Sequence, residues 1–350
     1  MPHKLLLLLA ASALACSGAP PGAILLQGGT LVGGAPGDVL LIGGRIAAVG
    51  EVDAPEAAEI VDVSGRWVGP AGIDSHVHLT YVPEVDAMAA GGIAAAVDLA
   101  APEPSLATPP DALTLLSAGP MVTSIGGYPT NSWGADGYGL ECADADAAAA
   151  GVDRLLAGGA RLIKVPVSSY GSGLDDAQLA AVVGRAHAAG VKVVVHALDD
   201  DSALRAAVAG VDALAHTPTA PLSPETIEAW SDRAVIGTLA AFGAGGPALA
   251  NIAALRDAGA TVLYGTDFGN TMTPGIDPTE LAAMRDAGFS PEQIQAALTT
   301  TPAAYWGLDE LGTLAEGQQA SVLVLPDDPL VDPTAWSRAE MVWIGGERRR

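Results

Sequence analysis

The sequence predicts an α/β fold: a (β/α)₈ barrel with a small flanking β-sandwich built from both chain ends. Two observations lead there. Through residues 69–311 short apolar runs alternate with amphipathic stretches, and the runs at 73–78, 94–99, 121–125, 162–167, 191–196, 213–216, 234–239 and 261–265 make eight strand candidates. On either side, residues 23–68 and 312–350 break into short apolar runs separated by Gly-Gly, Gly-Asp and Pro, the pattern of hairpin-rich β structure.

Taken in order, residues 1–15 read as a signal peptide. A positive start at Met1-Pro2-His3-Lys4 is followed by Leu5 to Leu9 and a small-residue end, too short to span a bilayer as a helix. Ala13-Leu14-Ala15-Cys16 resembles a bacterial lipobox, which would make Cys16 the acylated N-terminus of the mature chain; plain cleavage near Ala15 is the alternative. Either route predicts an exported protein of the bacterial cell envelope, in the periplasm or held to the membrane by a lipid anchor. With Cys16 acylated, Cys142 is left without a partner and reads as a small buried hydrophobe.

Strands at 24–27, 39–42, 46–49 and 59–63 are expected before the barrel, and strands at 321–325 and 340–344 after it. Helices are expected at 175–189 and 247–258. Ser223-Pro224-Glu225 and Ser290-Pro291-Glu292-Gln293 carry the helix-start signature of a Ser cap with Pro at the first turn.

Half the residues are hydrophobic and the formal net charge is -24, a globular composition that repels nucleic acid and anionic membrane surfaces. A small-molecule substrate is the expected partner, with no nucleic acid and with room for a homo-oligomer. Gly-x-Ser-x-Gly, His-Glu-x-x-His, Walker and dinucleotide motifs are all missing.

The chemistry is carried by the strand ends. His76 and His78 are two apart, so on a strand they project from one face at the spacing two ligands of a divalent metal need. By itself such a pair also suits a surface accident or a hydrogen-bonded core pair. Two more of the six histidines, His196 and His216, close apolar runs of their own, while His187 lies near a helix C-terminus and reads as structural. Lysine is scarce, and Lys164 sits inside an apolar run; burial favours its neutral amine, which can take up carbon dioxide as a metal-bridging carbamate. A pairing with a nearby acid is the alternative. Asp267 ends the last run.

These residues resemble the metal-dependent amidohydrolase superfamily, in its imidazolonepropionase-like and Xaa-Pro dipeptidase-like branch. Asp74-Ser75-His76-Val77-His78-Leu79 is similar to the first-strand motif and Gly265-Thr266-Asp267 to the eighth-strand motif, while the tail from Leu308 to Ser321 resembles the return from barrel to sandwich. The resemblance implies a distorted TIM barrel with two divalent metal ions, zinc being the expected pair. His76, His78 and Asp267 would hold one ion and His196 and His216 the other, with carbamylated Lys164 and a hydroxide bridging them. Asp267 would then shuttle the proton in hydrolysis of an amide or related C–N or C–O bond.

The loops that follow the eight strands contain no Lys or Arg but do contain Glu84, Glu103, Asp136, Glu141 and Asp199-Asp200-Asp201, which points to a neutral or cationic substrate. Tyr128, Asn131, Tyr170, Thr217 and Asn270 are the polar loop residues expected to orient it. The chain also departs from its dipeptidase-like relatives. Gly126-Gly127-Tyr128 stands where they tend to have Gly-Gly-His, and Thr217-Pro218-Thr219 follows the sixth-strand histidine where they often place a tyrosine, which puts prolidase activity in question. Two other functions compete: a mononuclear deaminase or imidazolonepropionase-like enzyme, against which Lys164 counts, and a non-catalytic envelope metal-binding lipoprotein.

Overall fold

A computed structural model describes residues 22–168 and 173–350, so the leader, Cys16 and Tyr170 lie outside the described residues. Both chain ends contribute to one hydrogen-bonded sheet. Ile24–Leu31, Pro36–Ile42, Arg45–Gly50, Glu59–Asp62 and Trp67–Pro70 join Val322–Leu325, Met341–Ile344 and Glu347–Arg348. Trp67–Pro70 is the seam. It runs parallel to Ile24–Leu31, with Thr30 opposite Trp67, and antiparallel to Val322–Leu325, with Gly69 opposite Leu323. The sheet has a core of its own around Leu26, Val39, Ile46, Val68, Val322 and Trp343.

Local chemistry explains its hairpins. Ile42 pairs with Arg45 across Gly43-Gly44, whose φ values of 56° and 78° fit a two-residue turn open only to residues that tolerate positive φ. Gly345-Gly346 repeats the device between Ile344 and Glu347, at 60° and 84°.

Between the ends, parallel strands alternate with helices. Gly72–Val77, Ile93–Asp98 and Thr114–Ser117 form one sheet, Met121–Ser124 and Gly139–Cys142 a second, and Ile163–Pro166, Val193–His196, Ala213–Leu214, Ala234–Ile236 and Thr261–Leu263 a third. The ladders stand as separate sheets and not as one continuous closed ladder. The first strand nevertheless reaches the last, through Ser75 N–H to the Tyr264 carbonyl at 2.9 Å and Asp267 N–H to the His76 carbonyl at 2.8 Å.

One region differs from the sequence expectation. The third strand comes in two pieces because Ala118-Gly119-Pro120 interrupts it: Pro120 has no N–H to give a ladder, and Gly119 has φ 68°. Gly139–Cys142, expected as loop, pairs alongside the second piece. The helix starts follow their caps. Asp175 and Gln178 close a capping box before Asp176–Ala188, Ser290 and Gln293 another before Pro291–Leu298, and Ser223 caps Pro224–Ala229. Among the described residues no helix is long and apolar enough to cross a membrane.

Packing is layered. Val97, Leu116, Leu162, Val194, Ala213, Ile236 and Leu263 meet in one buried cluster drawn from successive strands. A larger cluster lies between the strands and their helices, with Val152, Leu179, Trp230, Ile252, Leu281 and Ile294 from the helical side. Strands tied on both faces leave their C-terminal ends as the place where polar side chains collect.

Candidate metal centre

His76 lies in Gly72–Val77 and His78 directly follows it, Lys164 lies in Ile163–Pro166, His196 closes Val193–His196, His216 follows Ala213–Leu214, and Asp267 follows Thr261–Leu263. All six line one cavity of about 220 Å³. His76 Nε2 lies 3.3 Å from His78 Nε2, and Asp267 Oδ1 lies 3.3 Å from the first and 3.2 Å from the second. The His216 ring is centred 4.6 Å from His76 and 4.9 Å from His196. His76, His216 and Asp267 each offer a ligand atom within 4.8 Å of the others.

The hydrogen-bond bookkeeping around His76 favours a cation. Its Nδ1 sits 2.8 Å from the Ala215 carbonyl, which can only accept, so Nδ1 carries the proton. Burial, together with the neighbouring Lys164 and His78, pushes His76 well below its ordinary pKa against the opposing pull of Asp267, so the ring is neutral. Its Nε2 therefore aims a lone pair at the Asp267 carboxylate. Two facing lone pairs repel unless a positive ion lies between them. His196, pushed down to about 3 chiefly by burial, and His216, pushed well below its ordinary value, are neutral too. Two further buried atoms, Lys164 Nζ and His78 Nδ1, have no hydrogen-bond partner among the described residues. Burial brings the Lys164 ammonium down to about 7, against the pull of Asp267. These residues fit a divalent metal ion.

A supporting shell holds the donors. Asp74 accepts from Thr266 Oγ1 at 2.6 Å, Thr266 N at 3.1 Å and His76 N at 3.0 Å, locking the first strand to the residue before Asp267. Asp267 itself has φ 56°, a turn that swings its carboxylate back over the strand ends. His216 Nδ1 meets Thr238 Oγ1 at 3.0 Å, and buried Asp98 lies 4.0 Å from His78 Nδ1 while accepting from Thr80 and Ala100. Such outer partners orient ligand rings.

Of the expected substrate contacts, Tyr128 and Asn270 line the cavity, and Asn270 Nδ2 donates to Asp267 Oδ1 at 3.0 Å. Asn131 is exposed and outside the lining. Thr217 is buried with its hydroxyl donated to the Gly237 carbonyl at 3.0 Å. His187 pairs with Asp212 at 2.9 Å on the surface, away from the centre. Met121, Trp133, Ala241 and Phe242 also line the cavity, unanticipated from sequence. Aromatic and small apolar residues in loops carry no spacing signal, although Trp133 between Asn131 and Asp136 was a large hydrophobe in a polar loop.

The sequence profile of the amidohydrolase family matches residues 160–349, more than half of the 350-residue chain. The chain belongs to the amidohydrolase family. Short stretches of this amidohydrolase are similar to two curated enzymes. It is 50% identical over 48 residues to imidazolonepropionase of Caulobacter vibrioides, covering 13% of this chain and 12% of that protein. It is 46% identical over 67 residues to D-aminoacylase of Alcaligenes xylosoxydans xylosoxydans, covering 18% of this chain and 14% of the other. The chain thus aligns with about an eighth of the length of these curated relatives. Likeness of fold extends much further. A Xaa-Pro dipeptidase crystallised with methionine in its active site superposes with TM-score 0.81 at 19% identity, over 93% of this chain and 99% of that one.

Proposed function

We propose that this amidohydrolase is a metal-dependent hydrolase of carbon–nitrogen bonds. It would use two divalent ions, zinc by the nitrogen-rich ligand set, to cleave an amide or related C–N or C–O bond of a small neutral or cationic substrate. The observation that carries it is the neutral His76 Nε2 facing the Asp267 carboxylate, beside an unpaired buried Lys164 amine. His76, His78 and Asp267 would hold one ion and His196 and His216 the other, with Lys164 bridging as its carbamate. When bound, such ions supply a water of lowered pKa and polarise a carbonyl. Asp267, kept ionised, accepts the proton that the attacking water sheds and returns it to the leaving nitrogen as the C–N bond breaks. Among the described residues the cavity lining holds no arginine and no lysine besides Lys164, which supports a substrate without a carboxylate at the reacting end.

The same reading takes the alternating strands, residues 69–311, as a distorted TIM barrel, supported by the strand cluster around Val97 and Leu263 and by the Ser75–Tyr264 hydrogen bond. Residues 23–68 and 312–350 would form the flanking β-sandwich. Export, with Cys16 lipidated at the cell envelope, is part of the proposal, as is independence from nucleic acid.

One observation favours a second design. Among the described residues His76, His216 and Asp267 form a compact three-ligand group, which suits a single ion and deaminase-type chemistry. Metal analysis combined with assay on amides, lactones and aminoacyl compounds tests both. Two ions per chain with turnover supports the binuclear hydrolase, and one ion with ammonia released from a heterocycle supports the second design. Metal without any turnover would leave a binding protein and sink both.

A further inference from the structure

We propose that a second cavity, at the N-terminal ends of the strands, binds a small organic carboxylate, with Arg161 and Lys192 clamping its charge and Leu116, Tyr305 and Trp306 walling its apolar body. The inference goes beyond the hydrolase reading and does not rest on it. The cavity holds about 360 Å³. Arg161 stands just before Ile163–Pro166 and Lys192 directly before Val193–His196, while Tyr305 and Trp306 end the helix Thr300–Trp306. Along the extended chain from Lys192 to His196 of the metal cavity, a rise of about 3.3 Å per residue sets the two roughly 13 Å apart. The two cavities therefore lie at opposite ends of the parallel strands.

Charge singles this cavity out. With 40 Asp and Glu against 16 Lys and Arg, a cation in this chain has carboxylates on offer almost everywhere. Among the described residues, with Lys164 and the C-terminal Arg348 and Arg350 set aside, every Arg and Lys makes an ion pair except Arg161 and Lys192. Both line this cavity, and no carboxylate among the described residues lines it with them. The Arg161 guanidinium makes no hydrogen bond among the described residues, and the Lys192 ammonium rests over the Tyr305 ring, 5.0 Å from its centroid. An adjoining depression shares Lys192 and Tyr305 and includes Asp212, but that carboxylate is taken by His187 Nε2 at 2.9 Å and by the Val193 N–H at 2.7 Å. The aromatic polar groups are spent as well: the Tyr305 hydroxyl donates to the Asp212 carbonyl at 3.2 Å and the Trp306 indole N–H to Ser75 Oγ at 3.0 Å. What remains is an apolar wall beside a free guanidinium, which matches the two oxygens of a carboxylate, and a free ammonium, which adds a point charge. An anion with an apolar body uses both features, whereas a bare inorganic anion leaves the wall unused.

The test titrates benzoate into the full-length, metal-replete protein by calorimetry at low ionic strength, alongside its neutral counterpart benzamide and inorganic phosphate. Benzoate should bind saturably and about tenfold more tightly than either. Arg161→Gln and Lys192→Gln should each weaken it about tenfold, the loss expected of one charged hydrogen-bond partner, with metal per chain unchanged. Equal benzoate affinity in the wild type and both variants would put the ligand elsewhere, the metal cavity included, and overturn the assignment. Three other results would overturn it too: no benzoate binding at all, benzamide bound as tightly as benzoate, or phosphate bound as tightly as benzoate. Arg161 is exposed and Lys192 half-buried, and should one variant fail to fold the other decides. A wild type devoid of metal would defeat the hydrolase reading and leave this titration standing, so the two failures are distinguishable.

Discussion

At the scale of single residues, Asp267 combines a left-handed backbone with a carboxylate shared between two imidazoles. Asparagine tolerates that φ well, so Asp267→Asn removes the charge without refolding the turn. We expect it to remain folded and to lose about 10²–10⁴-fold in kcat, measured by steady-state kinetics at matched metal content. Lys164 makes a different prediction. If the proposed two-ion site is right, Lys164→Ala should leave one ion bound in place of two, by elemental analysis, because the second position would lose its bridging oxygen anion; unchanged stoichiometry would refute the carbamate. The chemistry of both residues was readable from sequence, since each closes or interrupts an apolar run. What could not be read was the Ala215 carbonyl that sets the His76 tautomer, a backbone group 139 positions away.

Helices, strands and loops meet at two close approaches, one of which reaches a loop lining the cavity. After the helix Val85–Ala90, Gly91 packs so tightly on the turn before Pro278–Asp286 that a Cβ would stand 2.5 Å from the Gly275 Cα. Both sides are backbone and the Ile276 N–H already donates to the Gly91 carbonyl, so neither can yield. Gly91→Ala should therefore lower stability by roughly 1–3 kcal/mol, seen as a lower denaturant midpoint. The helix Pro278–Asp286 also supplies Glu280, whose Oε2 accepts from Ala240 N at 2.8 Å and so anchors the loop carrying Phe242. Removal from water pushes the Glu280 carboxyl up to about 8; hydrogen bonds from Ala240 and Leu239 oppose the rise, and Asp277 and Asp74 add to it, with Tyr264 the other titratable group nearby. Between its ordinary 4.5 and about 8 the folded chain keeps a proton that the unfolded chain has released. Stability from this group is thus complete at acid pH and lost as pH rises through that window. Glu280→Gln should flatten the fall in Tm across it, and an identical pH slope in the two proteins would disprove the role.

For the whole molecule, acidity dominates: 40 Asp and Glu against 16 Lys and Arg. The positive charges are spent mostly in surface pairs, such as Arg154 with Glu103 and Arg338 with Asp332, and among the described residues no arginine lines the cavity of the candidate site. Between the free-acid and amide forms of one dipeptide, the amide should therefore show the higher kcat/KM. A preference for the free acid would mean that a guanidinium from elsewhere enters the site. The strand–helix alternation and the hairpins of the end sheet were legible because apolar runs and Gly-Gly turns are local signals. The split third strand and the added Gly139–Cys142 pairing were not, because they depend on where Pro120 leaves a ladder unfinished.

By itself the sequence determined the alternation of strands and helices, the hairpin turns, the capped helix starts, and the identity of the metal-competent side chains. Each follows from residue periodicity or from the chemistry of a few neighbouring residues. Only the tertiary structure decided that those side chains meet, that Thr217 spends its hydroxyl on Gly237, that Asn131 stays in solvent, and that Trp133 donates to the Tyr128 oxygen. These depend on register between parallel strands and on loop paths, where a hydrogen-bonding group is committed or left free by neighbours far away along the chain.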